Sequence, residues 1–245
     1  MRKPLLWICM VTLLCISCES KKVIPENDQN VGTSTNIEGD STLYGLACDG
    51  CNDSVLVFLP GKGGDPIIYD ILNASKRNRV IGHPKVGDWV AVLLNANDTT
   101  VADMVIDLDQ LKGTWVEQVF PTIRERITPT ALDEETKKEQ DSLLQEMMKP
   151  IEMGFAIKSH YAAQTIGRRR QSIKDDDSPV VYPQMKNYTK WHVFNGYLIL
   201  TSQSRPINDS LKGDVVNDTA QFIFMTHDSL RLKFKDCVKG FYRKN

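Results

Sequence analysis

The sequence lacks the common catalytic signatures. It contains no G-x-S-x-G elbow, no phosphate-binding glycine loop and no H-E-x-x-H pair, the local patterns that serve acyl transfer, nucleotide binding and zinc hydrolysis. Its histidines, His83, His160, His192 and His227, are scattered. An excess of charge of one sign is missing too, with 30 Lys and Arg against 31 Asp and Glu. Nucleic-acid binding calls for a strongly basic face, so DNA and RNA are not expected partners. No repeat of solenoid length is visible. The apolar run from Leu5 to Leu14 is about a dozen residues, where a span needs roughly 20. The chain is read as carrying no enzyme activity and no cofactor.

What is present begins with that short run. Arg2 and Lys3 precede it, and Ile16, Ser17 and Cys18 follow it before the chain turns polar at Glu19, Ser20, Lys21 and Lys22. A basic start, a short apolar stretch and a small residue at its end make a secretory signal. The segment resembles the bacterial lipobox, with Ser17 at −1 before a lipid-accepting Cys18. The resemblance implies cleavage that removes residues 1–17, acylation of Cys18, and a lipid-anchored protein of the cell envelope, at the outer membrane. Several acyl chains hold stably where one is marginal. Loss of Arg2 and Lys3 takes the net charge from −1 to −3, still unremarkable for a soluble domain.

Residues 18–40 are rich in Asn, Gly, Ser and Thr, with almost no apolar content. They read as a flexible tether of about twenty residues, reaching about 25 Å as a coil. Residues 41–108 read as a small β-domain, with strands at 54–59, 66–72, 89–94 and 101–108 split by turn residues. That spacing suits a small barrel of OB or SH3 type. Residues 109–245 form a second β-domain. A surface helix is predicted over 133–149, capped by Asp133, with Glu134 and Glu135 in its first turn and Pro150 as its stop. Strands follow at 153–159 and 161–166, then a hairpin over 191–201 turned by Asn195-Gly196, the strongest short hairpin signal. Further strands are predicted at 219–225, 230–234 and 239–244. In the second of these Leu230, Leu232 and Phe234 alternate with Arg231, Lys233 and Lys235, so one face meets a core and the other water. The Arg168-Arg169-Arg170 and Asp175-Asp176-Asp177 runs read as solvated loop, the second without the glutamate spacing of a calcium loop.

Leu111-Lys112-Gly113-Thr114-Trp115 contains a G-x-W that resembles the opening of the first strand in lipocalins and the wider calycin group. Tyr188-Thr189-Lys190-Trp191, the run Asn195 to Thr201, the run His227 to Leu232, and Phe241-Tyr242-Arg243 are similar to lipocalin-like lipoproteins of gut Gram-negative bacteria. The resemblance covers 109–245. It implies an antiparallel barrel of about eight strands, the helix being an insertion after the first strand. It also implies a structural contact in which Arg243 lies over Trp115, and a small apolar ligand inside the barrel.

Cys48, Cys51 and Cys237 remain after Cys18. Tyr44 to Cys51 includes a C-x-x-C similar to that of envelope lipoproteins linked to copper homeostasis and surface sensing. In an oxidising compartment Cys48 and Cys51 are expected to form a disulfide, with inert thiols and a soft-metal or redox pair as alternatives. Three functional readings follow. The first is a non-enzymatic binding module for a small apolar ligand. The second is an accessory component of an envelope assembly, its protein partners unspecified. The third is a metal-responsive or redox lipoprotein using Cys48 and Cys51.

Overall fold

The computed structural model describes residues 37–124, 134–167, 180–183, 185–203 and 214–244. Cys18, the tether before residue 37, Asp133 and the two charged runs at 168–170 and 175–177 lie outside the described residues. The chain is mainly β, as its composition of short alternating segments indicates. No helix among the described residues is long and apolar enough to cross a membrane.

The first sheet holds β1 (Leu43–Ala47), β2 (Val55–Pro60), β3 (Ile67–Asp70), β4 (Val80–Ile81), β5 (Trp89–Leu94) and β6 (Ala102–Asp107), in the order β3-β2-β1-β5-β6-β4. A parallel bridge between Asp70 and Val101 brings the two ends of the main sheet together. A meander of three strands, a helix, then a hairpin closed parallel onto the third strand is the OB topology. Two short helices interrupt the strands read from sequence. The Asp70 carboxylate accepts the Leu72 N–H at 2.8 Å, turning the chain into α1 (Leu72–Lys76) and ending the strand expected to reach 72. Asp107 does the same for α2 (Leu108–Leu111), accepting from Gln110 N at 2.8 Å as its N-cap.

The second sheet holds β7 (Gly113–Val119), β9 (Ile151–Ile157), β10 (Ala163–Ile166), β12 (Tyr188–Phe194), β13 (Tyr197–Gln203), β14 (Val215–Met225), β15 (Ser229–Lys233) and β16 (Val238–Lys244). Its order, β10-β9-β7-β16-β15-β14-β13-β12, is an antiparallel meander. The two outer strands meet through an Ala162–Lys190 bridge and a Trp191 N–H bond to Tyr161 O at 2.9 Å. The result is a nearly closed eight-stranded antiparallel barrel, the architecture that the lipocalin resemblance implies. Asn195 and Gly196, at φ 48° and 79°, make the tight turn of β12 and β13. His160 and Tyr161 also take positive φ, so the strand expected from 161 begins at Ala163. The inserted helix is α3 (Glu134–Met147), and β8 (Thr122–Ile123) pairs with β11 (Val180–Val181) beside it.

The two sheets share a wall. On β5, Val90 and Val92 pack into the OB interior with Leu56, Phe58 and Tyr69. Ala91, one residue between them, belongs to the other core with Met104, Ile106, Leu108, Leu111 and Trp115. Strands buried on both faces read as nearly continuous apolar runs, which is how WVAVLL appears. The Asn195 turn is gripped at the same junction. Ser41 N–H and Oγ donate to Asn195 Oδ1 at 2.8 and 2.7 Å, Asn195 N–H donates to Asp40, and Tyr44 OH donates to Val193 O at 2.6 Å.

Candidate functional site

The wall and α2 close one pole of the eight-stranded barrel. Trp115 is fully buried there and donates Nε1–H to Leu111 O at 2.8 Å. Arg243 stands opposite Trp115 in the β7–β16 register, its guanidinium carbon 4.2 Å from the ring centroid. Its Nη1 and Nη2 donate to Lys112 O at 2.7 Å and Gln110 O at 2.5 Å, and Nε donates to His227 O at 2.5 Å. Three carbonyls and an indole face fix this fork in the wall of the barrel, a structural role. Gly113, at φ 143°, is where a Cβ would collide with the Arg243 Nη1, so the glycine of G-x-W lets the arginine reach the carbonyls.

The opposite pole is open. The pleat that turns Trp115 inward turns Glu117 inward two residues later, and β16 presents Arg243, Phe241 and Lys239 in the same alternation. Phe155 lies opposite Trp115 on β9, its ring 5.0 Å from Phe241 and 6.2 Å from Tyr188. Below this level the barrel is filled by Trp191, Phe222, Met225, Leu198, Leu200, Leu230 and Leu232. Above it is a cavity of about 400 Å³, with Phe155, Tyr188, Phe234, Phe241 and Met185 as its apolar surface. That volume falls in the range of roughly 300–1,000 Å³ typical of small-molecule sites.

Two ion pairs stand at this cavity, and Lys235 and Asp236 also line it. Lys239 pairs with Glu117 across β16 and β7, and Lys186 pairs with Asp218 Oδ1. The Tyr188 hydroxyl donates to Asp218 Oδ2 at 2.7 Å. Burial, then the Asp218 carboxylate, pushes this phenol above its ordinary pKa. Thr165 ties the same corner together, accepting Tyr188 N–H at 2.8 Å and donating to Lys186 O at 2.7 Å. Tyr188 is quoted in the sequence only as part of a family resemblance, and none of these polar residues was read there as a site residue. The available signal was the two-residue step from Trp115 to Glu117 and from Arg243 through Phe241 to Lys239.

Cys48 and Cys51 sit at the β1–β2 turn as free thiols, not in the expected disulfide, and Cys237 is free and exposed. The Cys51 sulfur is engaged elsewhere, accepting Val57 N–H at 3.2 Å, while Cys48 Sγ points to Leu46 O at 3.9 Å. Cys51 and His83 line a second cavity of about 290 Å³ beneath α1. Among the described residues no three His, Cys, Asp or Glu side chains converge on a metal-sized site, whereas a closed tetrahedral site needs four ligands.

No family model and no curated protein matches the chain. Among solved structures it is similar to a lipocalin-like protein from Bacteroides thetaiotaomicron, with 16% identity over 54% of this chain and 95% of that one, at a TM-score of 0.30. The architecture assigned above stands on the pairing of the chain's own strands.

Proposed function

We propose that the chain is a lipid-anchored, non-enzymatic binding protein of the bacterial cell envelope, which carries a small ligand at the open mouth of its eight-stranded barrel. The observation behind the binding role is the aromatic-floored cavity at the one pole that the OB-type barrel does not cover. A reaction is not proposed, because Glu117 and Asp218 are engaged with Lys239 and Lys186 and the Tyr188 phenol is pushed away from neutral pH. A neutral naphthyl dye is expected to bind saturably, one per chain. Phe234→Ala is expected to weaken it roughly tenfold, the loss of part of a buried aromatic surface. No saturable binding, or equal affinity in the variant, overturns the reading.

The anchor in this proposal is Cys18, after removal of residues 1–17, at the outer membrane. Its support is the lipobox-like sequence around Ser17 and Cys18. Cys18→Ser is expected to move the protein from the membrane fraction to the soluble one and to remove the acyl mass from its N-terminal peptide. An unmodified Cys18 in the mature wild-type protein sinks this part alone.

A second reading, docking to a partner in an envelope assembly, draws on the exposed Phe120, Ile123, Val215, Val216 and Val238 at strand ends and in the β8 segment on the open side. Contiguous exposed apolar surface marks interaction sites, and such docking needs no cavity.

A further inference from the structure

The binding role proposed above leaves the chemical class of ligand open, and the charges of the mouth narrow it. From their arrangement we infer that the cavity selects cationic amphiphiles, with an ammonium head taken by one of its enclosed carboxylates, Glu117 or Asp218, and an apolar body laid on Phe155, Phe234 and Phe241. Among the described residues the lining carries three carboxylates, Glu117, Asp218 and Asp236, and two lysines, Lys235 and Lys239.

Enclosure separates the two signs further. The side chains of Glu117 and Asp218 are 21% and 20% exposed, whereas their partners Lys239 and Lys186 are 41% and 51% exposed. An arriving ammonium displaces lysines whose long stems carry their heads into water at little cost. An arriving carboxylate finds only the water-exposed Lys235, or else draws those lysines away and leaves two short, enclosed carboxylates without a countercharge, which is expensive. The same exchange therefore favours one sign of ligand strongly.

The acceptors are also prepared for a cation. Tyr188 holds Asp218 by Oδ2, which leaves Oδ1 for an ammonium, and Lys186 occupies it in the free protein. Glu117 receives Lys239 at Oε1, and among the described residues Oε2 takes no hydrogen bond. The aromatic faces beneath attract positive charge through their ring quadrupoles. Lys186 and Lys239 thus act as internal stand-ins for the ligand's head.

Displacement of the naphthyl dye from the full-length protein at neutral pH by decylamine, decanol and decanoate tests this, since the three share one tail. The amine is expected to bind at least tenfold tighter than decanoate, with the alcohol between them. Glu117→Gln combined with Asp218→Asn should weaken the amine about tenfold and decanol by much less. Lys186→Met, at a half-exposed position, should tighten the amine severalfold in a variant whose urea midpoint shows it to be folded. Equal affinities, a reversed order, or Lys186→Met without effect overturn the cationic class while the binding role stands. Failure of all three compounds and of the dye overturns both.

Discussion

Trp115→Ala is expected to lower the free energy of unfolding by about 4–5 kcal/mol, at the upper end of aromatic-to-alanine changes in cores. The indole is wholly enclosed and lies where β7, β9, β16 and α2 meet. Removing it leaves a cavity that strands pinned by cross-strand hydrogen bonds cannot collapse to fill. The Leu111 carbonyl loses the Nε1–H donor, about 1 kcal/mol for a net hydrogen bond. Arg243 loses the ring beneath it, worth about 0.5–2 kcal/mol for a partly enclosed cation. In urea the midpoint should fall with little change in slope. A loss below about 2 kcal/mol would show that the pole can repack without its tryptophan.

Asp107→Asn is expected to act in the other direction, and only above acidic pH. Asp107 is 1% exposed. Burial is the main reason its pKa is pushed up to about 6; the Gln110 N–H works against the shift, and Asp88 and Asp109 add to it. In the unfolded chain the same carboxyl titrates near 3.9. The folded state therefore holds the proton more tightly. The contribution to stability is complete below about pH 4 and is lost as pH rises through about 6. A shift of about two units corresponds to roughly 3 kcal/mol, given up when the carboxylate ionises in place. Asparagine keeps an oxygen for the Gln110 N–H and carries no charge. The variant should be about 2–3 kcal/mol more stable than wild type at pH 7.5, with the difference shrinking toward zero at pH 4. A gain that is the same at both pH values would assign the effect to something other than ionisation.

Much of the fold was legible because strands announce themselves by period. The clean alternation of Leu230, Leu232 and Phe234 with charged neighbours fixed the inward face of β15, and Asn195-Gly196 placed its turn without ambiguity. Strand β5 was found at its observed bounds, 89–94, but the reason for its apolar character on both faces was not. That reason is tertiary: one face belongs to the OB interior and the other to the neighbouring barrel. The helices α1 and α2 were missed because each is a single turn started by one aspartate, Asp70 or Asp107, at the end of an apolar run. Local caps of that size are outvoted by the strand pattern before them.

The site was less visible than the fold. Glu117, Lys239 and Asp218 look like surface residues in isolation, and only their place in the pleat turns them to the mouth. Asp218 and Lys186 are far apart in sequence from Glu117, and no short motif joins them. The cysteine pair misled in the opposite way. Its spacing suggested a covalent link, whereas Cys51 Sγ is turned to the Val57 backbone.

The wall formed by β5 and β6 has a consequence for how the molecule melts. Val90, Val92 and Val105 complete one interior, and Ala91, Met104 and Ile106 on the same strands help to complete the other. Neither barrel can lose this hairpin and keep its own filling. Disorder that begins in one is transmitted at once to its neighbour, so the pair has no stable half-molten state. The calorimetric and van't Hoff enthalpies are expected to coincide, and a destabilising change in either barrel to lower the melting temperature of both.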